Sequence, residues 1–373
     1  MKLIGTNDID VLLEGEGREG FYCQDHIYSI GTLHEYLEAD AGEFRIPQLD
    51  IEFDTTKNFY NYFTQHIRPF TEYAKVRLEI KYNGNVIFNG YTSDFYQLET
   101  PNNTFKLTFD GGLSRTADYT FPEYTNKDME GKRPPTGGPI YVPRYNISPL
   151  VGLPFGGILE KVNNNISLSG FSFGNKEFTD ISGLYLDKAY FLDESQDGLS
   201  FLGDLCRAFC SVILRKDNYE YELINRRQLR NQTAIKINDE DIYSPFEEFD
   251  WTRYHQHINI ESNNKRTGES NYYGYNDRSN NKKSTLTIQA DIMAALETYY
   301  NNAYQYIYEE IKSFIYDQYL QYYDHRTRGL SCFVEGLSLR PGMLIEFADR
   351  RMLIEETIKD FSQRKTKILG HYR

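Results

Sequence analysis

Between Val76 and Lys81, Val76, Leu78 and Ile80 alternate with Arg77, Glu79 and Lys81. Side-chain character that repeats every second residue marks a strand with one buried and one solvated face. Asn83-Gly84 follows at once, and that pair supplies the positive φ angles of a two-residue hairpin turn. A turn there sets Tyr82 opposite Asn85, Ile80 opposite Ile87 and Val76 opposite Tyr91. Gly90 is a place where the returning strand can bend or bulge. Beyond a turn at Pro101-Asn102-Asn103, Phe105, Leu107 and Phe109 return on alternate positions. The stretch Ala74 to Asp110 is therefore a small antiparallel sheet, and such a sheet needs a second surface to cover its apolar side.

The chain has 373 residues, room for two or three domains or one elaborated barrel pair. With 40% apolar and 25% charged residues it is a folded, globular chain. A net charge of −13 opposes a surface that grips phosphate. It does not oppose a wall past which DNA slides without adhering. There are 32 tyrosines and 1 tryptophan, and tyrosine suits packing against other proteins. No apolar run of about 18 residues suggests a membrane span, and Met1 to Asp10 has no signal-peptide core. Cys23, Cys206, Cys210 and Cys332 match no zinc spacing and read as reduced core thiols.

Several motifs imitate chemistry without its context. Gly15, Gly17 and Gly20 form a literal G-x-G-x-x-G, but Phe21 to Tyr28 has no helical period to carry a dinucleotide, and Glu16 and Glu19 would repel phosphate. His34-Glu35 opens like a zinc-protease helix, yet Glu38 stands where the second histidine belongs. Gly170-Phe171-Ser172-Phe173-Gly174 copies a nucleophile elbow without an amphipathic helix behind it. His255 and His257 alternate on a strand predicted over Tyr254 to Ile260, with no third ligand nearby in sequence. No catalytic, cofactor-binding or metal-binding residue is assigned, and the chain is not expected to be an enzyme.

Further along, Phe44 to Phe53 reads as a strand. Thr120 to Val142, with four prolines and three glycines, is the strongest loop signal. Pro149 to Val162 holds a possible short helix. Asp197 is a good N-cap for a helix carrying Phe201, Leu202, Leu205, Ala208 and Phe209 on one face. Val212 to Leu214, a turn at Asp217-Asn218 and Tyr219 to Leu223 then form a hairpin. Asn263 to Ser284 is a polar loop or hairpin tip. Ile292, Leu296, Tyr299, Ala303, Ile307, Ile311, Ile315 and Tyr319 recur every three or four residues, which predicts a helix over 291–323 capped by Asp291. Tyr300, Tyr304 and Tyr308 make a second row beside that stripe and are the candidate inter-subunit contact. Pro341-Gly342 predicts a type II turn opening a strand over Leu344 to Phe347. Met352 to Ile354 and Thr366 to Leu369 are the strands after it.

The order of these parts resembles the baseplate hub and tail-tip proteins of tailed phages. The matching features are the hairpin leaving through Gly90-Tyr91, the strand ending at Asp110, and the Phe201 to Cys210 helix with its hairpin. The turn in Leu339-Arg340-Pro341-Gly342 is similar to the family's Arg-Pro-Gly-Asp turn, with Met343 in place of the aspartate. The resemblance implies a mainly β fold with α insertions (α+β), built from two β-barrel-like tube domains, a long helix and loop-rich insertions. The expected units are a first tube domain over 1–120, a loop-rich insertion over 121–197, a helix and hairpin over 198–250, and a second tube domain over 251–373 with the helix 291–323.

It also implies a structural virion protein, made in the host bacterial cytoplasm and sited in the tail, that joins the tail tube to the tip or spike. A homo-oligomer is expected, with a trimer favoured and a hexamer possible. Its partners would be tail tube, baseplate or fibre proteins, and DNA only in passage through the lumen. No cofactor and no stable membrane insertion are implied. The alternatives are a hexameric distal tail protein or other tail-tube component, a host-surface binding module and a tail-associated cell-wall hydrolase. The last requires a cleaving domain, and none is expected after closing strands that run to Arg373. Residues 325–373 carry ten Lys/Arg against six Asp/Glu, so the acidic excess lies upstream. Part of it is expected to line the lumen.

Overall fold

A computed structural model describes residues 8–37, 45–54, 58–67, 75–93, 104–118, 120–121, 144–146, 172–175, 184–192, 196–215, 220–243, 247–249, 257–274, 285–301, 303–323, 329–347 and 350–372. The fold is mainly β with inserted helices. The Pro/Gly-rich segment beyond Phe121 and the possible helix at 149–162 lie outside the described residues.

Two seven-stranded sheets dominate. The first runs Gly20–Tyr22, Ile9–Gly15, Val76–Tyr82, Asn85–Thr92, Thr104–Gly111, Gln48–Asp54 and Ile27–Ile30, in spatial order and antiparallel throughout. Val11, Leu13, Ile51, Phe53, Leu78, Ile80, Leu107 and Phe109 are buried in one core with Leu337 and Phe361 from the far end of the chain. Phe59, on the one-turn helix Phe59–Tyr62, sets its ring 5.3 Å from Phe53 and 5.8 Å from Phe105. Those additional strands, this helix and the two distant side chains are the covering surface that the Val76–Thr92 hairpin requires.

The second sheet runs Ile235–Lys236, Leu344–Phe347, Arg350–Asp360, Lys365–Tyr372, Gly329–Glu335 and Glu247–Phe249. Its seventh strand, Leu33–Tyr36, comes from the other end of the chain. The long strand Arg350–Asp360 shares one edge between two partners. Leu344–Phe347 pairs with its first half and Leu33–Tyr36 with its second. The second sheet thus draws on residues 33–36, 235–236 and 247–249, all outside the expected 251–373 unit.

Between the sheets, Asp197 caps the helix Gly198–Ala208 by accepting from Ser200 N at 2.7 Å. The strands Ser211–Arg215 and Glu220–Asn225 follow as an antiparallel pair. A three-stranded sheet holds Glu269–Gly274, His257–Asn264 and Thr285–Gln289. A four-stranded sheet holds Ala303–Tyr306, Leu296–Tyr300, Leu184–Asp187 and Arg144–Asn146.

Two sequence expectations are corrected. The Asn83-Gly84 turn forms, with φ of 50° and 78°, and Tyr82 does face Asn85. A bulge between Ile80 and Lys81 then puts Ile80 opposite Phe88 and Arg77 opposite Tyr91. Val86 to Thr92 is buried on both faces, so alternation could not pin the register there. Gly90 serves a close approach rather than a bulge, since a Cβ there would lie 2.3 Å from the Asp110 carbonyl oxygen.

The helix over 291–323 is broken. Asp291–Ala294 is a single helical turn, Leu296–Tyr300 and Ala303–Tyr306 form a hairpin, and only Tyr308–Tyr323 is a longer helix. Asn301 takes a φ of 48° at the hairpin turn. Leu296, Tyr299 and Ala303 keep a helical spacing, but Leu296, Thr298 and Tyr300 also keep a period of two, and aromatic and β-branched residues favour the pleated arrangement.

Candidate functional site

The crossing strand Leu33–Tyr36 alternates, with Leu33 and Glu35 buried and His34 exposed. It pairs Glu35 with Thr357 and Leu33 with Lys359. Thr357 and Lys359 are two apart on their strand and point to the same face. Both reach Glu35. Thr357 Oγ1 donates to Glu35 Oε2 at 3.3 Å, and Lys359 Nζ bonds the same oxygen. Arg215, at the end of the Ser211–Arg215 strand, donates from Nη2 to Glu35 Oε1 at 3.0 Å. One carboxylate therefore ties together the crossing strand, the second sheet and the helix–hairpin unit.

Glu35 is 6% exposed and Lys359 0%. Burial pushes the Glu35 carboxyl up, but Lys359 and Arg215 outweigh it and hold the group below its ordinary range. Burial brings the Lys359 ammonium down to about 8, against the pull of Glu35, and Arg215 adds to the lowering. Both groups are charged at neutral pH. A buried pair of this kind gives little net stability, yet losing one partner is costly.

Beside the pair lies a cavity of about 70 Å³. Its walls include Leu113, Leu214 and Pro341, and Arg45, Arg215 and Arg340 contribute to its polar side. Arg45 stands 5.2 Å over the Tyr36 ring. The Pro341-Gly342 turn that borders the cavity forms as expected, with Gly342 at φ 87°.

A second buried knot lies at Asp187, whose carboxylate accepts from Arg266 Nη2 at 2.7 Å, Tyr306 Oη at 2.8 Å and Ala189 N at 3.0 Å. It fastens the four-stranded sheet to the turn after His257–Asn264. All its partners are structural, and it borders no described cavity.

The imitated motifs fall in ordinary positions. Gly15 ends one strand and Gly20 begins the next, so the G-x-G-x-x-G is a hairpin turn. Ser172–Asn175 is a strand paired in parallel with Glu220–Asn225, so the strand-to-helix turn of an elbow is not formed after Ser172. His257 begins a strand, and His255 lies outside the described residues. Among the described residues, no group of three or more His, Cys, Asp or Glu could hold a metal ion. The four cysteines are buried thiols, and burial pushes the Cys332 thiol up to about 12. No described helix is long and apolar enough to cross a membrane.

Tyr300, Tyr304 and Tyr308 do not form one helical row. Tyr300 ends one hairpin strand, Tyr304 lies in the other, and Tyr308 opens the helix. Tyr308 is 6% exposed within its own chain's core, whereas Tyr304 is half-buried with its ring edge-on to Tyr185 at 5.1 Å.

Sequence reasoning missed Glu35, Lys359 and Arg215. A signal was present. Leu33, Glu35 and Leu37 share one face of a strand, as do Thr357, Lys359 and Phe361. A charge set among apolar residues on a buried face demands a partner.

No family model matches the sequence, and no curated protein matches it. Solved structures do share the fold. The 43 kDa tail protein of prophage MuSo2 from Shewanella oneidensis aligns over 97% of this chain and 96% of its own, at 12% identity and a TM-score of 0.53. The tail protein from Neisseria meningitidis MC58 aligns over 98% and 97%, at 7% identity and a TM-score of 0.51.

Proposed function

We propose that the chain is a structural component of a phage-type tail, an adaptor that joins the tail tube to the tip or spike as part of a ring of identical copies. The observation that carries this reading is the pair of seven-stranded sheets in one chain, locked together by an exchanged strand. Two tail proteins share that fold over nearly their whole length. Two tube-like sheets per chain let three chains present six, the number that a six-fold tube requires. A hexameric tail-tube role is the other oligomer that this fold admits.

In this reading the protein acts without catalysis, sits in the virion tail and meets DNA only in passage. Part of its acidic excess faces that passage, where like charge keeps phosphate from adhering. Of the three tyrosines expected at a copy-to-copy contact, Tyr300 and Tyr304 belong to the Leu296–Tyr306 hairpin, and the contact is proposed there without Tyr308. Among the described residues Ala303–Tyr306 is the outermost strand of its sheet, alternating exposed and half-buried residues, and an outer strand is where another chain can add to a sheet.

Deleting the gene for this chain from a phage that carries it tests the role. The expected result is particles whose tube and tip are not joined, restored by supplying the chain in trans. Complete, infectious tails without it would contradict the proposal.

A further inference from the structure

The exchange between the two large sheets runs in both directions. Leu33–Tyr36 pairs with Arg350–Asp360 of the second sheet, and Leu37 N extends the contact by donating to the Glu355 carbonyl at 2.7 Å. Two side chains travel the other way. Phe361 directly follows the strand Arg350–Asp360, and Leu337 lies two residues beyond Gly329–Glu335. Both are buried in the core of the first sheet, with Val11, Phe53 and Leu78.

Local geometry aims both of them. Gly336 takes a φ of 90°, which turns the chain after Glu335. Gly336 N donates to the Arg364 carbonyl at 2.7 Å, and Thr366 Oγ1 donates to the Gly336 carbonyl at 2.7 Å. These bonds tie the turn before Leu337 to the hairpin tip 361–364. Asp360 Oδ1 fixes that tip by accepting from Ser362 N at 2.8 Å and Gln363 N at 3.0 Å. From the tip, Arg364 forms an ion pair with Asp8, Nε to Oδ2 at 2.8 Å. The Asp8 carbonyl accepts from Asn83 N at 2.8 Å, in the turn of the Val76–Thr92 hairpin. The hairpin tip of the second sheet is thus seated in the first.

Opening either sheet therefore breaks contacts of the other. If the second opens, Phe361 and Leu337 are withdrawn from the first core and leave a cavity there. If the first opens, Leu33–Tyr36 loses its anchorage, and with it goes Glu35, the counter-charge of Lys359. We infer that these reciprocal crossings are a clasp that makes the two sheets one opening unit, with no hinge between them. A part set between tube and tip then carries load without its halves sliding apart. That use rests on the tail role proposed above, whereas the clasp itself does not.

Native-state hydrogen exchange of the full chain, read on peptides from each sheet, tests the clasp. Ile368 lies in the second sheet's own core. Ile368→Val should speed the slowest amides of Val76–Tyr82 and of Lys365–Tyr372 by the same factor, roughly two- to tenfold. Phe361→Leu, at a position carried by the second sheet and buried in the first core, should also speed both alike. Acceleration confined to Lys365–Tyr372 in Ile368→Val, or to Val76–Tyr82 in Phe361→Leu, would overturn the inference. In a chain carrying Leu337→Ala and Phe361→Ala, adding Ile368→Val should speed the second sheet alone. Equal acceleration of both sheets there would assign the coupling to other contacts and overturn the clasp. The two conservative single variants decide if the doubly substituted chain does not fold. Exchange is read within one chain, so unequal opening counts against the clasp and leaves the tail role standing, whereas failure to assemble counts against the tail role alone.

Discussion

The side chains of Glu35 and Lys359 bond to one another in the interior although 324 residues separate them in the chain. Their strands are neighbours in the second sheet, and Glu35 is carried there by a strand flanked in sequence by strands of the first. The two ends of the protein are thus held by one ion pair with Arg215 as a third member.

Glu35→Gln should destabilise the chain by about 3–5 kcal/mol, because it leaves a buried ammonium without its counter-charge. Replacing all three members together, Glu35→Leu with Lys359→Met and Arg215→Leu, should recover most of that loss. Urea unfolding of the three proteins checks this. A single variant as stable as the parent would show that the pair does not hold the sheets.

The same pair sets an acid response. The folded-state value of Glu35 lies below the ordinary 4.5, so as pH falls the unfolded chain takes up a proton at this position before the folded chain does. The stabilisation is complete above the ordinary value and is lost as pH drops through the folded-state value. The parent's advantage over Glu35→Gln should be level between about pH 5.5 and 7 and shrink below about 4.5. Unfolding midpoints measured across that range would expose an advantage that instead grows in acid.

Gly90→Ala should cost about 1–3 kcal/mol, since the added methyl meets the Asp110 carbonyl oxygen and the Phe88 ring with little room to move. Thermal unfolding reads the effect. A neutral substitution would mean that the two strands stand further apart than described.

Tyr308→Ser should lower stability by about 3 kcal/mol, because Tyr308 is buried in its own chain. Tyr300→Ser with Tyr304→Ser should leave the folded subunit intact and impair assembly. Circular dichroism and sedimentation on the same samples separate the two effects. Normal assembly of the double variant would remove the hairpin from the contact.

Much of this was legible where the determinant is local. Asn83-Gly84, the Asp197 cap and the Pro341-Gly342 turn each act within a few residues, and each forms as its sequence implies. The bulge at Ile87 was not legible, because a strand buried on both faces carries no alternation to betray a slipped register. The 296–306 hairpin was read as helix because its apolar residues fit both periods, and pairing with Leu184–Asp187 decided between them. Glu35 drew notice only as half of a failed zinc motif. Its partners lie in distant strands, and a single sequence does not say which strands become neighbours.

Sedimentation equilibrium of the purified full chain over a wide concentration range tests the central claim, that this is a ring-forming tail component. The account predicts a closed species of three chains, with six as the other ring that the fold admits. A chain that remains monomeric at every concentration would contradict it.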